Sequence, residues 1–208
     1  KFKCNSCDGT DTYGLKGVNT CGIGTECKDF IVKAPPQAQD VQPGLEYMME
    51  PLPIFDNPNY QGSGKLKNKT AIITGGDSGI GRSVAVHFAK EGANIVIAYY
   101  NEHEDAEYTK CYIESLGRPC LLISGDIKDP CFCNNIIQKT LETYGQIDVL
   151  VNNAGVQFQQ KNLEDISNEQ FDFTLKTNIY SMFYLTKAAL PYMQKGSIIN
   201  TTSITTFY

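Results

Sequence analysis

The sequence predicts an α/β fold, a doubly wound parallel sheet with helices on both faces. Two patterns carry this prediction. Short runs rich in Ile and Val recur from Lys69 onward without the polar alternation of a half-exposed sheet, which marks strands buried on both faces. Between them lie stretches of helical spacing, and a helix between two strands supplies the crossover that parallel pairing needs.

The elements follow in order. Thr70–Thr74 reads as a buried strand that runs into glycines. Ile80–Glu91 has helical spacing and stops at Gly92. Asn94–Tyr99 is the second strand, and Glu102–Leu116 is a helix closed by Gly117. Cys120–Ile123 is the third strand, followed by a helix over Pro130–Tyr144 that closes at Gly145. Val149–Val151 is the fourth strand. Asn168–Gln194 reads as one long helix before a last strand, Ser197–Thr201.

This domain is expected to span residues 66–208. Ahead of it, Ala34-Pro35-Pro36, Gln42-Pro43-Gly44, Pro51-Leu52-Pro53 and Asn57-Pro58 forbid a long helix, so residues 31–65 read as an extended arm. Gln61-Gly62-Ser63-Gly64 reads as a flexible joint. Residues 1–30 form a segment rich in Cys and Gly without periodicity.

Composition narrows the partners. A net charge of -5 with 20% charged residues argues against a general nucleic-acid binder. No apolar run reaches bilayer length, and Lys1-Phe2-Lys3 leads into polar sequence with no apolar leader. A cytoplasmic location away from membranes is the expectation. In such a compartment disulfides are rare, so Cys4, Cys7, Cys21 and Cys27 are either metal ligands or free thiols. Cys-x2-Cys is a common first half of a zinc site, while Cys21-x5-Cys27 is wider than usual. Both readings stay open.

The strongest chemical signal is Thr74-Gly75-Gly76-Asp77-Ser78-Gly79-Ile80-Gly81-Arg82, at the junction of the first strand and first helix. Gly75, Gly79 and Gly81 allow a tight turn and leave room for a pyrophosphate against the backbone. The following helix directs free N–H groups and its positive dipole end at the phosphates. A glycine loop alone also fits a simple turn; its position in an alternating chain favours the nucleotide.

The loop resembles the Thr-Gly-x3-Gly-x-Gly motif of short-chain dehydrogenases/reductases. Gly125-Asp126-Ile127, Asn152-Asn153-Ala154-Gly155, Lys176-Thr177-Asn178 and Ile199-Asn200-Thr201-Thr202-Ser203 resemble further landmarks of that family, in the same order. Singly, each fits a turn, a cap or a loop hydroxyl. Glu102-His103-Glu104-Asp105-Ala106, Ser181–Lys187 and the Gln-Pro-Gly of the arm resemble a subgroup of bacterial general-stress reductases.

The resemblance implies a Rossmann fold and an NAD(P)-dependent oxidoreductase acting on a small carbonyl or alcohol. It implies cofactor contacts from Gly75, Asp77, Ser78, Gly79, Ile80 and Gly81. Tyr99 and Asn101 would follow at the second strand, Asp126 and Ile127 at the third, and Asn153, Ala154 and Gly155 at the fourth. Asn178 and Ser203 take catalytic positions. The family's Tyr-x3-Lys pair does not occur between Ser203 and Tyr208, so the C-terminal part of the domain is expected to be missing. The chain alone is then expected not to turn over. Tyr99 stands where an acid usually selects NAD, which leans the cofactor to NADP with dual use open. No Arg or Lys replaces that acid nearby, although Arg82 follows the loop. The full-length parent is expected to be a homo-oligomer, a tetramer or dimer. A non-catalytic nucleotide-binding protein on the same fold is the alternative.

Overall fold

A computed structural model of the chain describes residues 37, 39 and 42–203. Five strands form one parallel sheet in the order β3-β2-β1-β4-β5. They are β1 (Thr70–Thr74), β2 (Asn94–Tyr99), β3 (Cys120–Ser124), β4 (Val149–Asn152) and β5 (Ser197–Asn200). The chain leaves β1 toward β2 and β3 on one side, then returns for β4 and β5 on the other. This is the doubly wound arrangement that the sequence predicts.

Side chains alternate across each strand. In β1, Ala71 and Ile73 join one buried cluster and Ile72 the other. In β2, Ile95, Ile97 and Tyr99 lie on the first side, Val96 and Ala98 on the second. The first cluster is closed by α1 (Gly79–Lys90) and α2 (His103–Ser115), through Ala85, Val86, Ala106 and Ile113. The second is closed by α3 (Pro130–Tyr144) and α5 (Ser181–Ala189), through Ile136, Ile137 and Leu185. Over β1, β2 and β4 both faces are buried, which explains why these strands carry apolar runs rather than alternation.

The single long helix expected over Asn168–Gln194 is interrupted. α4 (Asn168–Leu175) passes into a π turn at Lys176–Tyr180, then α5, then a 3-10 turn at Leu190–Tyr192. In the π turn the Ser181 N–H reaches back to the Lys176 carbonyl, which admits one extra residue. Pro191 lacks an N–H and cannot extend the α-helical ladder, so the last turn tightens.

The arm packs on the α1–α2 side. Phe55 meets the rings of Tyr108 and Tyr112 edge-on, with centroids 6.1 and 5.1 Å apart. Asp56 accepts from Tyr112 Oη at 2.6 Å and pairs with Lys90 at 2.5 Å. The Gln61–Gly64 stretch is pinned rather than loose. The Glu91 carboxylate, at the end of α1, accepts from the Ser63 amide at 3.0 Å, the Lys65 amide at 2.9 Å and the Tyr60 hydroxyl. A sequence reading sees four small or polar residues there and misses a partner that lies beyond the first helix. Among the described residues, no helix is long and apolar enough to cross a membrane.

These bonds favour the charged form of Glu91. The Tyr60 hydroxyl first, then the Lys65 amide, pull its carboxyl from its ordinary 4.5 down to about 2. A depressed folded pKa contributes stability that is full above the unfolded value and lost as pH falls through the folded one. Glu91→Gln should therefore lower the melting temperature at pH 7. The gap to wild type should narrow between pH 4.5 and 2; a gap constant with pH would refute this account of the clasp.

Candidate functional site

Parallel strands place all their C-terminal ends on one rim, and the predicted site residues gather there. The rim is stitched across strands. The Gly75 amide donates to Ala98 O at 2.8 Å, Gly125 to Tyr99 O at 2.9 Å, and Thr201 to Asn152 O at 2.9 Å. Thr74 Oγ1 accepts from the amides of both Asn153 and Ala154 at 3.0 Å. Asn153 Nδ2 donates to the carbonyls of Thr74 and Gly75 at 3.2 Å, and its Oδ1 accepts from Thr201 Oγ1 at 3.1 Å. Asn153 thus ties β1, β4 and β5 together at the mouth of the glycine loop.

The loop fits a dinucleotide by its own geometry. A Cβ at Gly81 would overlap the Gly75 carbonyl oxygen and come within 2.7 Å of Asn153 Nδ2, so only Gly lets the loop fold back on itself. At Gly79, with φ +52, a Cβ would instead enter open space. Of the first-turn amides of α1, that of Gly79 donates to Glu46 Oε2, and those of Ile80 and Gly81 have no intrahelical partner. Ile80 beside them is 67% exposed, an apolar side chain with nothing packed over it. An open cradle of backbone donors at a helix N-terminus suits a phosphate chain.

Beneath the loop the charges are buried. Arg82 does not face the cradle; it is 3% exposed and committed inward. It pairs with Glu46 of the arm and, at 3.1 Å, with Asp105. Its Nε and Nη2 donate to the Asp77 carbonyl at 2.9 and 2.6 Å. Asp77 itself is buried, and Glu102 and Asp105 lie near it. Burial, with a smaller push from those two carboxylates, raises the Asp77 carboxyl from 3.8 to about 6.

Tyr99 is buried in the first core cluster, and its hydroxyl lies 2.9 Å from His103 Nδ1. Asn101 is exposed and donates its amide to Glu102 Oε2 at 3.2 Å. The other carboxylate oxygen of Glu102, Oε1, is buried with no hydrogen-bond partner. Asp126 accepts from the Lys128 amide at 2.9 Å and pairs with its ammonium at 3.3 Å. That ammonium also sits 3.5 Å from the centre of the Phe173 ring. Ile127 packs into the second core cluster, and the α3 cap is Asp129 rather than Asp126.

The π turn directs Asn178 back at β4. Its Oδ1 accepts from the Val156 amide and its Nδ2 donates to the Val156 carbonyl, both at 2.8 Å. The two bonds fix the segment after Gly155, whose own Cβ position lies 3.4 Å from Asn178 Oδ1. Ser203 follows β5 and is exposed. Cys4, Cys7, Cys21 and Cys27 lie outside the described residues. Among the described residues, no group of His, Cys, Asp and Glu is arranged to hold a metal. Sequence reasoning missed Glu46, Asp105 and Thr109, because their partners are distant in the chain.

The raised pKa of Asp77 has a sign that can be checked. Folding favours its protonated form, so above pH 6 the buried charge costs stability, about 3 kcal/mol for a shift of this size. Asp77→Asn should raise the melting temperature at pH 8, and the gain should shrink toward zero near pH 4. A gain independent of pH would contradict a buried, strained carboxylate.

Comparison with known proteins agrees with this geometry. The family model described as short chain dehydrogenase matches residues 69–208. The chain is 58% identical over 174 residues to the uncharacterized oxidoreductase YhxC of Bacillus subtilis, covering 83% of this chain and 60% of that protein. It is 53% identical over 177 residues to General stress protein 39 of the same organism, covering 85% and 62%. A short chain dehydrogenase from Burkholderia cenocepacia, solved in complex with NADP, superposes with a TM-score of 0.65 at 35% identity, covering 67% of this chain and 57% of that one. The chain thus spans about 60% of the length of such relatives. The match runs over the same residues that build the sheet and its rim, and the chain belongs to the short-chain dehydrogenase/reductase family.

Proposed function

We propose that a protein carrying this chain is an NAD(P)-dependent oxidoreductase acting on a small carbonyl or alcohol. The observation that carries the reading is the cradle at Gly75–Gly81, where the helix amides of Ile80 and Gly81 have no intrahelical partner and open space lies at Gly79 beside an exposed Ile80. When bound, the nicotinamide supplies the hydride chemistry. The pyrophosphate would lie on the α1 amides, with Asp77, Ser78 and Ile80 around it. Tyr99 and Asn101 would border the adenosine ribose, Asp126 and Ile127 the adenine, and Asn153, Ala154 and Gly155 the nicotinamide half. With Tyr99 in place of an acid, no strand-end carboxylate bars a 2′-phosphate, so NADP is admitted beside NAD. The Burkholderia relative holds NADP.

In this reading Ser203 donates a hydrogen bond to the substrate oxygen as charge develops there. Asn178 holds a water through its backbone carbonyl, because both ends of its side-chain amide are engaged by Val156. A Tyr-x3-Lys pair completes the proton path, so the activity is assigned to a protein that joins such a pair to these residues. The exposed Tyr180 and Phe183 support assembly into a homo-oligomer. The free cysteines Cys120 and Cys133, both buried, fit a reducing compartment such as the cytoplasm.

The test is oxidation of NADPH and NADH by the full-length protein with a panel of aldehydes and ketones. Wild type should turn over, and Ser203→Ala should lose about a hundredfold or more in kcat, the usual cost of one donor to a developing oxyanion. Tight cofactor binding without turnover of any carbonyl would favour a non-catalytic nucleotide binder instead.

Cys4, Cys7, Cys21 and Cys27 carry a separate proposal, a zinc held by four thiolates. Cys-x2-Cys supports it. One zinc per chain in purified protein is the expected outcome; metal-free protein with four titratable front thiols ends it.

A further inference from the structure

One buried ion cluster joins the N-terminal arm to the glycine loop. After Gln42-Pro43-Gly44 the arm makes a short 3-10 turn, Glu46–Met48, and Glu46 is only 5% exposed. Its Oε1 pairs with Arg82 Nη1, and its Oε2 accepts the Gly79 N–H. Its own amide donates to Asp105 Oδ2 at 3.0 Å. Thr109 Oγ1 donates to the Asp77 carbonyl at 2.7 Å, the same oxygen that Arg82 holds. The rings of Phe55 and Tyr108 flank the guanidinium at 5.3 and 5.2 Å.

Ser78, the residue before α1, makes no side-chain cap bond. The Glu46 carboxylate, 33 residues before Gly79, takes that place, where the helix dipole favours negative charge. The turn is therefore gripped at both ends by one ion pair. Arg82 holds the carbonyl of Asp77, and Glu46 holds the amide of Gly79, with Ser78 between them. The Gly79 amide is spent on the arm, so the amides of Ile80 and Gly81 are those left for a ligand.

We infer that Glu46 is a positioning residue for the dinucleotide. Through Arg82 it holds residues 77–79 in the shape that receives the pyrophosphate, so arm docking and cofactor binding strengthen each other. The inference rests on the reading of the loop as a dinucleotide site. Repulsion between Glu46 and the phosphates acts the other way. The guanidinium bonded to Glu46 offsets that charge, and the order imposed on the turn outweighs it.

Binding linkage is reciprocal, which gives two independent readouts. In the full-length protein, Glu46→Ala should weaken NADP and NAD about tenfold each by calorimetry, leaving their ratio unchanged. The cofactor KM should rise with kcat unaltered. Glu46→Gln, which keeps an acceptor for Gly79 but loses the ion pair, should fall between. In wild type, saturating cofactor should slow hydrogen exchange at the Glu46, Met48 and Met49 amides by a comparable factor. A purely structural role would lower the melting temperature without moving either readout. A folded Glu46→Ala that binds as wild type, or more tightly, overturns the inference. If that variant does not fold, arm amides unchanged by cofactor overturn it equally. Wild type that binds neither cofactor would remove the reading of the loop itself, a result distinct from equal binding by wild type and variant.

Discussion

The burial of both sheet faces is the constraint from which the rest follows. An apolar strand covered on two sides needs helices above and below it, and helical crossovers keep neighbouring strands parallel. Parallel strands then put every C-terminal end on one rim. Ile72, Ile73, Val96, Ile97 and Leu150, all fully buried, hold the strands in this arrangement. The glycine loop, Gly125, the Asn152–Gly155 segment and Ser203 meet at the rim because β1, β3, β4 and β5 end there.

Within that frame, two kinds of bond shape the loop. Above, Asn153 and Thr74 lock β1 to β4 through neutral hydrogen bonds. Below, Arg82 is buried with two carboxylates, two carbonyls and the Thr109 hydroxyl. Removing one partner of such a group strands the others without water, at a cost of about 3–5 kcal/mol. The cluster is therefore a poor place for drift, and it connects the arm to the turn proposed to receive the cofactor. The raised carboxyl of Asp77 comes first from burial, with Glu102 and Asp105 adding to it, and Asp105 is also a partner of Arg82.

Much of the fold was legible because its signals are local. Thr70–Thr74 and Asn94–Tyr99 are unbroken apolar runs, and the structure ends them at the same residues. Pro130–Tyr144 carries its own start and stop, Asp129 as cap and Gly145 in the left-handed conformation. The π turn was not legible. It depends on Asn178 meeting Val156, 22 residues away, and helical periodicity reads straight through it. The arm read as extended and jointed because its anchors, Glu91 for Ser63 and Arg82 for Glu46, come from the domain. Arg82 itself drew attention as a cation beside the phosphate loop; its local spacing gives no sign that two acids draw it inward.

The central claim is that a nicotinamide dinucleotide lies along this rim. Titration of isotope-labelled protein with NADP and NAD, followed by amide resonances, tests it directly. The account predicts shifts concentrated at residues 75–81, 99–101, 125–127 and 152–155, with smaller ones at Glu46. Saturating cofactor that moves none of these amides, or moves a set elsewhere on the molecule, would contradict it.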